Sequence, residues 1–319
     1  MSSASQNQAA WLTAVKAYPL EVGPAPMPTP EGTDVVILVH SAAINPADPA
    51  VQRLGIVVEA DKYPYVLGTD VAGIVHSVGP DQTRFKTGER VVALGLASLH
   101  KDSKYGGFQL YSVADAKALV KIPDHVSFNE GCVLPLGLCT AAYSLFEKRS
   151  TYPSRVETSP TGKVLLVWGG ASSLRGYTVA ATSSTKNFGL LREIGAEYVF
   201  DYNKDGVVDD IGAPLQCAVI AGQLEGRKHV GTVRPPGFPP LKDWPEGIEV
   251  SHCASTHILH SEVGPAIWGA WLEGALEDGT MLCRPPYEVV GQGLEEVQKA
   301  MDIMGKGVSG KKLVVEIVH

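Results

Sequence analysis

The sequence predicts an α/β protein of two domains, a small β-barrel-like domain followed by a nucleotide-binding one. Three observations carry this. The first third alternates short β-forming runs with Gly and Pro turns. A continuous apolar run, KVLLVW at residues 163–168, then leads into a Gly-rich turn. Behind it, strand, helix and strand follow in the rhythm of a parallel sheet. The chain has 319 residues, more than one ordinary core accommodates.

Taken in order, VVILV at residues 35–39 reads as a strand, as do residues 72–78 and 90–94. The turns between them are Gly79-Pro80-Asp81 and Lys86-Thr87-Gly88-Glu89. Residues 129–146 carry few charges and suit buried helix. In KVLLVW the run from Val164 to Trp168 is continuously apolar, the mark of a strand buried on both faces. A strand is expected at residues 177–181, a helix at 187–194 ending at Gly195, and a strand at 198–202. Near the end a helix is expected at 294–304, with Leu294, Val297, Met301 and Met304 on one face, and a last strand at 312–318. The expected domains are residues 1–130, 131–275 and a closing segment, 276–319.

Composition narrows the function. The 27 basic and 34 acidic residues give a net charge of −7, with no basic run to attract nucleic acid or an anionic membrane. No apolar stretch has the length of a membrane span, and MSSASQNQAAW lacks a signal-peptide layout. Cys132, Cys139, Cys217, Cys253 and Cys283 are scattered and odd in number, as reduced thiols are. A cytoplasmic location is expected, with a small-molecule substrate and a monomer or homodimer.

The candidate site is the turn after KVLLVW. A dinucleotide pyrophosphate is held by backbone N–H groups of such a turn and by the positive end of the helix that follows. Gly169-Gly170-Ala171-Ser172-Ser173 supplies the turn, without a G-x-x-G continuation. A parallel crossover needs about a dozen residues or more. Only WGGASSLRG separates Val167 from Tyr177, so the first βαβ unit is expected to lack its helix. A second shortfall falls near residues 222–226. Further on, Ser183-Ser184-Thr185-Lys186-Asn187 closes a strand and opens a helix. An acidic residue there would take a ribose 2′-hydroxyl, whereas hydroxyls and a lysine suit a 2′-phosphate. NADP(H) is therefore the expected coenzyme, with NAD(H) the alternative; a plain N-cap cluster with an exposed lysine is the other reading.

Several blocks together resemble the medium-chain dehydrogenase/reductase superfamily in its zinc-free branch. They are Asn45-Pro46-Ala47-Asp48, LGTDVAGIVHSVG (67–79), FKTGERVVAL (85–94), YGGFQLYSV (105–113), VLPLGLCTAAYSLF (133–146), VLLVWGGASS (164–173), STKNFGLLREIGAEYVFDY (184–202) and GKGVSGKKLVVEIV (305–318). The likeness is to fungal zinc-binding-dehydrogenase-like proteins and trans-acting enoyl reductases of polyketide clusters. It implies a GroES-like β-barrel catalytic domain, a Rossmann domain and a C-terminal segment returning to the first domain, with the cofactor in the cleft between domains. It places the phosphate turn on Gly170, Ala171, Ser172 and Ser173, the 2′-phosphate contacts on Ser184, Lys186 and Asn187, and Tyr202 beside the adenosine. Asp48 is also counted among the cofactor-binding residues, and a helix at 136–143 carries Thr140 toward the nicotinamide. Zinc members of the superfamily have Cys in a first loop and Gly-His-Glu in a second. Here these read Ala-Ile-Asn-Pro and Gly68-Thr69-Asp70, so no catalytic zinc is expected. The Trp-Lys that often follows Asn-Pro-x-Asp is Pro49-Ala50.

Competing signals are weaker. His252, Cys253, His257 and His260 have metal-ligand spacing but no evident partner set, and ordinary loop side chains are the expectation. No G-x-S-x-G occurs. Tyr143 or Tyr65 could protonate a developing enolate, against the alternative of an aromatic packed in the core. Two functions follow: a reductase of an activated C=C or quinone-like carbonyl in secondary metabolism, or a redox-inactive family member kept as a binding or scaffold protein. A transcript spliced to omit the helix would look the same.

Overall fold

A computed structural model describes residues 6–146, 164–168, 178–201, 229–232, 246–252 and 255–317. The N-terminal region forms β1 (Asn7–Leu12), β2 (Glu21–Ala25), β3 (Val35–Ile44), β4 (Tyr65–Val66), β5 (Asp70–Val78), β6 (Arg90–Leu94), β7 (Tyr111–Ala114) and β8 (Leu119–Lys121). The middle holds β9 (Val164–Trp168), β10 (Thr178–Ser183), β11 (Tyr198–Asp201), β12 (His229–Thr232) and β13 (Glu249–His252). β14 (Tyr287–Gln292) and β15 (Lys312–Glu316) come last. Two compact units result, one of Met1–Leu138 with Gly264–His319 and one of Cys139–Val263.

The larger unit is a sheet in the order β14-β15-β3-β5-β6-β8, with β7 also on β3. All its pairings are antiparallel except β14 with β15. The apolar run read at residues 35–39 extends to Ile44, because Ala42, Ala43 and Ile44 continue it into the core. Ser41, the polar interruption, is satisfied through Asn129 Oδ1 at 2.5 Å. Register shifts at Val36/Ile37 and Val39/Ser41 bend the strand. Its first half thereby pairs with β7 and its second half with β15. Gly73 pairs with Val39, and the Leu38 carbonyl would lie 2.1 Å from any Cβ there. Phe85, Phe108, Leu94, Leu96 and Leu119 are fully buried in the core of this unit.

A separate sheet, β2-β1-β4, was masked in the sequence by Gly23 and Pro24. Proline is tolerated because β2 lies at the edge of that sheet. The C-terminal part joins the barrel through specific ties. Arg84 donates to the carbonyls of Ala116, Leu119 and Trp268, and Trp268 is itself buried. Helix Glu296–Gly305 buries Val297, Ala300, Met301 and Met304, the spacing of one helical face.

The second unit carries parallel strands in the order β11-β10-β9, with β12 parallel to β13. Helix Phe188–Glu193 bridges β10 and β11. Leu191, Ile194 and Ala196 close on Ala181 to form a small core. Gly195, at φ +103°, ends the turn as expected. Nine residues, 169–177, separate β9 from its parallel neighbour β10, against fourteen, 184–197, between β10 and β11. The second shortfall, expected near residues 222–226, lies outside the described residues.

Candidate functional site

In a parallel sheet, ligands gather beyond the carboxyl ends of the strands. Those of β9 and β10 lie side by side, Trp168 paired with Thr182. Gly170, Ala171, Ser172 and Ser173 follow directly in the chain but lie outside the described residues, as does Tyr202. What is described is the rim that β10 forms. Thr182 and Ser183 are buried, and Ser184 leads into a 3-10 turn, Thr185–Asn187. Asn187 Nδ2 donates to Ser183 Oγ at 3.1 Å, fixing the turn against the strand end. Ser184 Oγ is buried with no hydrogen-bond partner among the described residues. Such a hydroxyl is costly unless something satisfies it. Beside it Lys186 is exposed and makes no ion pair among the described residues. A buried hydroxyl without a partner and a lysine without an ion pair among the described residues, at the end of a parallel strand, fit an anionic group such as the 2′-phosphate of a dinucleotide.

The larger unit holds a second polar centre. Gly68, at φ +95°, turns the chain from Leu67 into Thr69 and Asp70, where a Cβ would lie 2.6 Å from the Phe108 ring. Asp70 is fully buried. Its Oδ2 accepts from Lys312 Nζ at 2.7 Å and from Asn45 Nδ2 at 3.0 Å; its Oδ1 accepts from the backbone N–H of Leu136 at 2.8 Å. Lys312 Nζ also reaches Asn45 Oδ1 at 2.5 Å, and Asn45 Nδ2 reaches Thr69 Oγ1 at 2.9 Å. Asp48 is buried at the start of helix Ala47–Leu54 and accepts from the Asn45 N–H at 2.7 Å. Burial pushes its pKa up to about 7, with the nearby Asp70 charge adding to the rise.

These loops are where zinc members of the superfamily carry their ligands, and the donors present do not fit that metal. Zinc prefers imidazole and thiolate. The loops offer an amide, a hydroxyl and one carboxylate, and the Lys312 ammonium already sits on the amide and the carboxylate.

Thr140 and Tyr143 are three apart on helix Pro135–Phe146, so they share a face, and both are half-buried. Tyr143 meets the edge of the His257 ring, centroids 6.2 Å apart. Tyr65 is buried on β4, and desolvation raises its pKa. Of the possible metal ligands, Cys253 lies outside the described residues. His252 ends β13, and His257 and His260 are exposed on a 3-10 helix, Ser255–His260. The described residues contain no cluster of metal-ligand type. Nor do they contain a helix long and apolar enough to cross a membrane.

The alcohol dehydrogenase GroES-like domain matches residues 31–124. The zinc-binding alcohol dehydrogenase domain-containing protein cipB of Emericella nidulans is 36% identical, across 99% of this chain and all of its own. The chain belongs to the medium-chain dehydrogenase/reductase superfamily. Another relative of this oxidoreductase, the trans-enoyl reductase himH of Aspergillus japonicus, is 32% identical over 98% of the chain and 97% of its own. Mycobacterial Rv1454c complexed with NADPH shares the fold, with a TM-score of 0.69 at 20% identity over 98% of this chain and 100% of its own. The cipB alignment spans 335 positions against 319 residues here, so at least 16 positions are gaps in this medium-chain dehydrogenase/reductase. Lys312 was not visible as a site residue in the sequence, since nothing local pairs position 312 with position 70.

Proposed function

We propose that this medium-chain dehydrogenase/reductase is an NADP(H)-dependent reductase of an activated C=C or a quinone-like carbonyl, acting on a small cytoplasmic metabolite of secondary metabolism. The observation that carries the reading is the buried Ser184 Oγ, without a partner among the described residues, beside Lys186 at the carboxyl end of β10. The trans-enoyl reductase and the NADPH-bound protein among its likenesses support it.

In this reading Ser184 donates its hydroxyl hydrogen to a 2′-phosphate oxygen and Lys186 balances the phosphate charge. Asn187, tied to Ser183, keeps that turn in place. Residues 170–173 receive the pyrophosphate through backbone N–H groups. When bound, the reduced nicotinamide supplies hydride. Thr140 and Tyr143 present hydroxyls from one helical face, able to orient the acceptor oxygen or pass it a proton. Asp48 contributes by bracing the Asn45 loop from within rather than by a contact of its own. No step passes through zinc.

The test is a fluorescence titration of the full chain with NADPH, followed by turnover with an α,β-unsaturated thioester and a quinone. Saturable binding in the micromolar range with coenzyme oxidation supports the reading. Folded protein that binds neither NADPH nor NADH sinks it. That outcome favours the scaffold alternative, which the nine-residue link between β9 and β10 motivates.

A further inference from the structure

We infer that Asp70 is a positioning residue for the reaction, setting the start of helix Pro135–Phe146 and through it the placement of Thr140 and Tyr143. The inference rests on the reading of those two hydroxyls as facing the reacting centre.

The helix begins without a cap of its own. Leu134 precedes it with no side-chain acceptor, and Pro135 has no N–H. Leu136 therefore carries the first helical N–H, which has no partner within the helix. Leu138 already bonds back to the Leu134 carbonyl at 2.8 Å. Asp70, 66 residues earlier, fills the gap by accepting the Leu136 N–H at 2.8 Å. A carboxylate also suits the positive end of a helix.

Asp70 is held so that it can be rigid. Its other oxygen carries the Lys312 and Asn45 contacts, and its side chain has no exposure at all. The charged or titratable groups around it are Lys312, Asp48 and Cys132. Asp48 is pulled toward its neutral form by burial, which leaves Asp70 and Lys312 as a balanced pair. Lys312 opens the last strand, β15, and β15 is zipped to β3 from Leu313 to Glu316. The anchor of the helix is thus fixed by two strands of the barrel and by an ion pair.

The experiment compares Asp70→Ala, which leaves no side-chain acceptor for the Leu136 N–H, with wild type in the full chain. Hydrogen exchange in a peptide covering residues 135–143 should quicken about tenfold, since a helix end loses its tie. NADPH oxidation with the unsaturated thioester should slow at least about tenfold while the NADPH Kd moves by less than about twofold, the split expected of lost alignment. Unchanged exchange at 135–143 overturns the inference, and so does unchanged turnover despite faster exchange. If Asp70→Ala does not fold, Lys312→Met should give the same pattern and Lys312→Arg should restore it; failure of the arginine to rescue also overturns it. If wild type itself oxidises no NADPH, the proposed function falls, and the exchange result alone decides whether Asp70 anchors the helix.

Discussion

Lys312 and Asp70 lie 242 positions apart in the chain, yet the lysine ammonium sits 2.7 Å from the aspartate carboxylate with Asp70 wholly buried. An ion pair so placed is weak evidence for net stability, but removing one member strands the other in a low-dielectric interior. Lys312→Met should therefore destabilise the protein by about 3 kcal/mol in urea unfolding at neutral pH. The double variant Asp70→Asn with Lys312→Met should recover part of that loss, because no charge is then left alone. A Lys312→Met loss below about 1 kcal/mol would place the pair in effective contact with solvent.

Asp48 makes a prediction of opposite sign. Burial raises its folded pKa to about 7 from an ordinary value of 3.8. The folded protein therefore binds this proton more tightly than the unfolded chain does. Stability from this group is present below pH 4, is lost as pH rises toward 7, and changes little above. Asp48→Asn keeps an oxygen for the Asn45 N–H and has no proton to lose. It should match wild type near pH 4 and exceed it at pH 8 by roughly 2–4 kcal/mol, following the linkage of about 1.4 kcal/mol per pH unit. Chemical denaturation at the two pH values checks this; an equal offset at both refutes the linkage.

The barrel was legible because its strands alternate with turn residues, and helix Glu296–Gly305 because its buried positions repeat at helical spacing. Parallel pairing of β9 with β10 followed from apolar runs and from counting the residues between them. β2 was missed because Gly23 and Pro24 argue against a strand anywhere but at an edge, and edge position is a property of the assembled sheet. The rim at Ser184 and Lys186 could be read because hydroxyls and a lysine stood where a strand meets a helix. The Asn45–Asp70–Lys312 network could not. Each member is chemically ordinary in its own segment, and only the pairing of β15 with β3 brings them together.

Coenzyme choice should turn on Lys186. It is exposed and unpaired among the described residues, so replacing it disturbs little of the fold. Lys186→Glu removes a charge-assisted contact to a 2′-phosphate and adds repulsion. The NADPH Kd should rise about 10- to 100-fold, the equivalent of about 1.4–3 kcal/mol. NADH has no 2′-phosphate and its Kd should hold or improve slightly. Fluorescence titration of both coenzymes measures the ratio, and parallel weakening of the two would move the 2′-phosphate away from this turn.

Metal removal gives the last prediction. The amide of Asn45 and the carboxylate of Asp70 are the best donors in the loops that zinc members use for the metal, and both already hold the Lys312 ammonium. A dication entering there would have to displace a lysine that two acceptors already hold. Such exchange is unfavourable, because the ammonium would give up its partners and the metal would gain only oxygen donors of low preference. Prolonged treatment with a chelator should then leave the thermal midpoint and the rate of NADPH oxidation unchanged, and added zinc should raise neither. Activity that disappears with the chelator and returns with zinc would show that the metal, and not the lysine, balances Asp70 in the working enzyme.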